Sequence, residues 1–335
     1  MKWIKLLVLM LLVASLVWFA SSIDPQDVLD AMSMVGLSYF WVILATATAY
    51  ILGAIAWRLC IDDAYSHHLK LRQLFAIRLI GEAVTLVNPS NFIGGESTKA
   101  YLLQKRGIPY TVAFSSVILS RSILIIVQVL LFVMTATSYM VISERFNQQL
   151  FVIILISIIV PAILVMLLIL TQKTQLLSFP FTRGQKFLKF RASLQETFTL
   201  VRQHYQAHRG KMALVILIAA CHWMAGSVEL YLLFSYLGVE ISYHEALMMD
   251  MGIILLKSFG VFVPGQIGIE EYSNKILFAV VGMVNTAIWI SISLLRRLRQ
   301  LIWIVIGLLL YLFMEGKHMT GHIEDRDAHE KLHQE

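Results

Sequence analysis

Apolar residues run along this chain in long unbroken stretches, and six stretches reach the roughly 20 residues that a helix needs to cross a bilayer. They cover roughly 3–22, 38–59, 111–137, 150–171, 212–237 and 286–313. Two further apolar segments make poor crossings. Residues 73–93 carry Arg78 and Glu82 and stop at Asn88-Pro89-Ser90-Asn91-Phe92-Ile93-Gly94-Gly95-Glu96. Residues 246–263 carry Asp250 and Lys257 and stop at Val263-Pro264-Gly265-Gln266-Ile267-Gly268-Ile269-Glu270-Glu271. Proline removes a backbone donor and glycine frees the chain, so both runs should break there. A break at membrane depth survives only when buried in protein or lining a wet cavity. Both segments are therefore expected to be re-entrant, dipping in and returning to the same side. Strand-like alternation is missing, which argues against a membrane barrel. The predicted fold is an all-α integral membrane protein with about six full transmembrane helices and two re-entrant broken helices.

Composition agrees: 58% of the 335 residues are hydrophobic and 14% charged, against roughly 25% charged in a soluble domain. One membrane domain is expected over 1–315, followed by a polar cytoplasmic tail over 316–335. The first stretch, with Lys2, Lys5 and small residues near Ala20, has some signal-peptide character, but its near-spanning length favours an uncleaved helix. Cys60 and Cys221 lack partners at metal or disulfide spacing and read as packing residues. The net charge of +6 does not point to nucleic acid, because Lys and Arg gather at helix ends. There they report orientation, since short cytoplasmic loops hold the basic excess. With the N-terminus inside, the cytoplasmic segments collect Lys2, Lys5, Arg58, Lys70, Arg72, Lys99, Lys105, Arg106 and the basic loop 172–211, while the external loops hold only Arg145. The expected location is the bacterial cytoplasmic (inner) membrane, with both termini cytoplasmic.

A shift of 175 residues aligns the two broken segments without a gap. Pro89 falls on Pro264, Glu96 on Glu271, Gly107 on Gly282, Thr111 on Thr286 and Arg121 on Arg296. Glu82 falls on Lys257, a pair of positions with opposite charge. The repeat units span about 37–137 and 212–313. Under the topology above, one re-entrant segment enters from the cytoplasm and the other from outside. That is an inverted repeat, the plan of many secondary transporters.

Arg121 and Arg296 each lie about ten residues into their helices, which at roughly 1.5 Å per residue places both near mid-bilayer. A central arginine costs about 3 kcal/mol and needs a partner or a polar cavity. Two compatible roles stand: an ion pair with Glu96, Glu229, Glu270 or Glu271, or a grip on an anionic headgroup. The proline-to-arginine spacing is the same in both units, so the two side chains are expected to converge on one cavity. The turns at Gly94-Gly95 and Gly265 to Gly268 look like helix starts, whose free N–H groups suit phosphate. Arg297 and Arg299 could contact phosphate or face Asp250. The apolar series Phe187, Phe190, Leu194, Phe198 and Val201 suits an interfacial helix on the cytoplasmic leaflet. His318, His322, His329 and His333 lack a carboxylate or cysteine framework, so no metal is expected. No catalytic triad, Walker loop or dinucleotide fingerprint is present, and neither enzyme activity nor a cofactor is expected.

At these motifs the sequence resembles the transmembrane flippase-like domain of the lysylphosphatidylglycerol synthase family. The residues that carry the resemblance are Pro89, Gly94-Gly95-Glu96, Lys99-Ala100, Gly107, Ala113 and Ser120-Arg121, then Pro264-Gly265, Gly268, Glu270, Gly282 and Arg296. Lys99 stands where the family usually has Arg, and Ser120 where it has Glu. The resemblance implies a membrane domain that moves a modified lipid between leaflets, without the soluble aminoacyl-transferase domain of the full synthases. A lipid transporter acting on a phosphate-bearing phospho- or glycolipid is the expected function. The alternative is a membrane scaffold for a separate lipid-modifying or glycosyl-transferring enzyme. Candidate substrate-binding residues are Arg121, Arg296, Glu96, Lys99, Gly94, Gly95, Gly265, Gly268, Glu270 and Glu271, with Pro89, Pro264, Glu82 and Lys257 in structural roles.

Overall fold

The computed structural model describes residues 25–67, 69–87, 91–144, 147–173, 199–201, 203, 206–258, 268–283 and 285–332. The expected first crossing, the interfacial series up to Phe198, and Pro89, Pro264 and Gly265 lie outside the described residues. Among those described, the chain is helical throughout: α1 Pro25–Val35, α2 Tyr39–Leu59, α3 Leu71–Val87, α4 Asn91–Gln104, α5 Tyr110–Ile142, α6 Gln148–Lys173, α7 Arg209–Tyr236, α8 Tyr243–Ser258, α9 Ile269–Val280 and α10 Thr286–Leu332. Four spans are long and apolar enough to cross a membrane: Met32–Leu59, Tyr110–Ile142, Gly210–Tyr236 and Ala287–Met314. All four coincide with expected crossings. The fifth, 150–171, falls on α6, whose side chains are described only to Val160. The last helix continues through most of the expected tail, to Leu332.

Both broken segments form helical hairpins. In the first, a Cβ added at Gly95 of α4 would strike Thr85 and the Gly81 carbonyl of α3, and Lys99 of α4 reaches back to Glu82. Residue numbers rise on one limb as they fall on the other, so the limbs are antiparallel. In the second, Lys257 of α8 meets Glu270 of α9, and Gly252 meets Leu277. The limbs are 12 to 17 residues long, which at ~1.5 Å per residue falls short of a ~30 Å hydrocarbon core. After each hairpin the chain turns at a left-handed glycine, Gly107 at φ +86° and Gly282 at φ +82°, positions 175 residues apart. Only glycine takes that conformation without strain.

The helices interlock. α2 packs along α7 in antiparallel fashion: Trp41 lies across from Tyr236, Ala49 from Gly226, and Asp63 just beyond α2 from Lys211. The hairpin limb α3 packs on α10, and its counterpart α8 packs on α5. Glycines permit both close approaches. A Cβ at Gly307 of α10 would lie 2.8 Å from Ala83 of α3, and one at Gly252 of α8 would lie 2.9 Å from Phe132 of α5. The buried apolar residues divide into two clusters. One joins the α3–α4 hairpin to the end of α2 and the beginnings of α5 and α7. The other joins α8–α9 to the start of α2 and the later parts of α5 and α7. The two hairpins thus occupy opposite ends of the bundle. Cross-bundle bonds from Tyr39 Oη to the Leu295 carbonyl (2.7 Å) and from Trp303 Nε1 to Thr46 Oγ1 (3.0 Å) tie α2 to α10.

Candidate functional site

A helix that carries charge into an apolar bundle must bring its counter-charge with it, because a lone buried ion is costly. Each hairpin does so across its two limbs. In the first, the Lys99 ammonium lies 3.0 Å from Glu82 Oε1 and 3.2 Å from Glu96 Oε1. In the second, Lys257 lies 2.7 Å from Glu270 Oε2, which also accepts from Gln300 Nε2 at 2.8 Å. The polarity is reversed: the first limb supplies the acid in one hairpin and the base in the other. Glu82 and Lys257, equivalent by sequence offset, therefore bridge within their own hairpins rather than to each other.

Around the second hairpin the charges balance. Arg296, 3% exposed, donates to Asp250 Oδ1 at 2.6 Å and lies 3.7 Å from Glu270 and 3.9 Å from Glu229. Arg299 meets Glu229 at 2.9 Å, and Arg297 pairs with Glu271. Ser227 Oγ donates to the free oxygen of Asp250 at 2.9 Å. Glu271 also caps α9, its carboxylate accepting from the Gly268 N–H at 2.8 Å. Four cations meet four carboxylates. This is the ion-pair role weighed for Arg296, completed by Asp250.

The first hairpin holds a different arrangement. Glu96, Lys99, Arg121, Arg78, Ser120 and Trp57 line a pocket with about 240 Å³ of empty space. Arg121 Nε lies 4.0 Å from Glu96, and the Arg121 side chain stays 30% exposed. Arg78, buried, donates from Nη1 to the Gly53 carbonyl at 3.3 Å and lies against the Cα of that glycine. A Cβ at Gly53 would stand 2.6 Å from the guanidinium carbon. Gly81 gives the same relief to the Lys99 stem. Trp57 is held by an Nε1–H bond to Ser116 Oγ at 3.2 Å.

Arg121 and Arg296, expected to converge on one cavity, stand in different charge clusters. The pocket that Arg121 lines does not include Arg296. The reason lies in three carboxylates peculiar to the second unit: Asp250, Glu229 and Glu270 correspond by offset to Phe75, Ala54 and Gly95. They enclose Arg296 and leave it no open side. Tyr50, near the middle of α2, feels the charges of both groups, Arg78 and Glu82 on one hand and Arg299 and Glu229 on the other. Of the candidate residues, Glu96, Lys99 and Arg121 are brought together, and Glu270 and Arg296 are brought together elsewhere. Gly94 and Gly95 start α4, where Gly95 serves limb packing, and Gly268 at φ +83° starts α9. Sequence reasoning noted Arg78 only as a reason to doubt a crossing. Arg78 stands one helical turn before Glu82, and that spacing was the signal that it belongs to the same charged face of the hairpin.

The family model described as "Lysylphosphatidylglycerol synthase TM region" matches residues 2–308. A UPF0104 membrane protein of Pyrococcus horikoshii is 25% identical over 325 residues, covering 89% of this chain and 92% of the relative. No solved structure matches.

Proposed function

Because the chain belongs to the family of the lysylphosphatidylglycerol synthase transmembrane region, we propose that it is a multi-pass lipid transporter that carries a phosphate-bearing lipid between leaflets of the cytoplasmic membrane. One observation carries the reading. Two charge-bearing helical hairpins, related by a constant offset, occupy opposite ends of a bundle whose equivalent helices α2 and α7 run antiparallel. This supports an inverted repeat, with each hairpin entering from its own face. The interchange of partners, α3 with α10 and α8 with α5, supports a pseudo-twofold axis lying in the membrane plane. Transport then consists of rocking one unit against the other, with the headgroup held at the first hairpin by Lys99 and Arg121. Both termini lie in the cytoplasm, and the protein supplies no covalent chemistry of its own.

The test is reconstitution. Purified protein in proteoliposomes should move fluorescent phospholipid to the quencher-accessible leaflet faster than empty vesicles, in a headgroup-dependent manner. Rates equal to those of empty vesicles would sink the transport reading. Stoichiometric co-purification of a lipid-modifying enzyme together with that result would favour the scaffold instead.

A further inference from the structure

Among the described residues Arg78 makes no close ion pair: Glu82, one turn along the same helix, feels its charge but is bridged by Lys99. Arg78 is 5% exposed, lines the pocket of the first hairpin, and its Nε has no hydrogen-bond partner. Its one acceptor among the described residues is the Gly53 carbonyl. Three cations, Arg78, Lys99 and Arg121, share this site with two carboxylates, Glu82 and Glu96, whereas the second hairpin's four cations meet four. A buried cluster with one cation more than its carboxylates is expensive in an apolar bundle, so the imbalance calls for an anion from outside the chain. A planar fork with an unfilled donor suits a phosphate oxygen better than a point charge would. The pocket is tight, with room beside Arg78 for about one water-sized group, so only the phosphate oxygens of a headgroup reach it and the rest of the lipid stays outside.

We infer that Arg78 joins Lys99 and Arg121 in binding the anion at the first hairpin, that the site selects phosphodiester headgroups of net charge −1 over zwitterionic or cationic ones, and that the Arg296 cluster is a structural lock. This rests on the lipid reading above and names the substrate's charge class within it. A headgroup bearing an added amine would restore the imbalance that the phosphate relieves.

The experiment uses the full chain in nanodiscs of equal parts phosphatidylglycerol and phosphatidylcholine, with retained lipids counted by native mass spectrometry. The wild type should retain the anionic lipid roughly tenfold over the zwitterionic one, R78Q should bring the ratio to about one, and R78K should keep most of it. A wild-type ratio near one, or an R78Q protein with the full preference, overturns the inference. Should R78Q fail to fold, wild-type retention across anionic, zwitterionic and cationic lipids decides: a fall in that order supports the site, and equal or rising retention overturns it. Millimolar inorganic phosphate separates the sources. Displacement of retained phosphatidylglycerol supports a phosphodiester in the pocket, and phosphate binding without lipid retention makes free phosphate the ligand and overturns the headgroup assignment. Charge preference without translocation would defeat the transport reading alone, and translocation without charge preference would defeat this inference alone.

Discussion

At the scale of single residues, the two arginines that head the equivalent long helices have parted roles. Arg296 is enclosed by Asp250, Glu229 and Glu270. Removing it leaves buried Asp250 without its cation and takes one of two cations from Glu229 and Glu270, so Arg296→Ala should lower stability by about 3–5 kcal/mol. Arg121 is 30% exposed and 4.0 Å from its acid, and Arg121→Ala should cost about 1 kcal/mol or less while impairing lipid handling. Thermal melts of the two detergent-solubilised variants check the contrast, and equal melting points would refute it. Gly53→Ala drives a methyl into the Arg78 guanidinium and should destabilise by about 1–3 kcal/mol, with loss of anionic-lipid retention. The sequence held part of this. The pairing of Glu96 with Arg121 and of Glu270 with Arg296 could be read from depth and scarcity, since buried ions must find opposites. Arg78 could not, because its role depends on α3 turning that face toward Gly53 of α2, and no local pattern reports a contact between residues 25 positions apart on different helices.

At the scale of elements, the apolar runs were legible to within a few residues. Crossing 111–137 became Tyr110–Ile142 and 212–237 became Arg209–Tyr236. Separate helices also flank each predicted break, Leu71–Val87 and Asn91–Gln104 at the first and Tyr243–Ser258 and Ile269–Val280 at the second. Left out of reach was the partner of each limb, which is set by helices far along the chain. The hairpins' opposite placement gives a labelling prediction. In a background lacking Cys60 and Cys221, a cysteine at exposed Glu240 should react with an impermeant reagent from outside, and one at exposed Lys105 only after permeabilisation. Labelling of both from one side would remove the inversion. On the cytoplasmic side of that scheme, Asp63 in the link between α2 and α3 pairs with Lys211 of α7 and lies 3.5 Å from His208. Its hydrogen bond from Lys211, aided by nearby positive charge, holds the carboxyl below the usual range. A depressed acid stabilises the fold above its unfolded value of about 3.9 and loses that contribution as pH falls through the folded value. Melting temperature should therefore drop below about pH 4 in the wild type, and less so in Lys211→Ala. Identical acid limbs for both proteins would mean that the pair adds nothing.

At the scale of the whole molecule, α2 and α7 form the seam across which the two units would rock. An added Cβ at Gly226 would lie 3.8 Å from the Ala49 Cβ, close to the ~3.8 Å of a relaxed disulfide. Ala49→Cys with Gly226→Cys, in the background lacking Cys60 and Cys221, should cross-link under a membrane-permeant oxidant and arrest lipid translocation, and reductant should restore it. Full transport by the cross-linked protein would move the working hinge away from this seam.

The bonds that close α2 onto α10 also govern how the protein can be made. Tyr39 waits for the carbonyl of Leu295, 256 residues later, and Thr46 waits for Trp303, 257 residues later. At about 5–20 residues per second of synthesis, that is a delay of roughly 13 to 50 seconds. For that time a newly inserted helix sits in lipid with a phenolic hydroxyl that lacks its native acceptor. The last helix is thus the keystone of assembly, and a ribosome that stalls before Leu295 leaves an open polar face for membrane quality control to find.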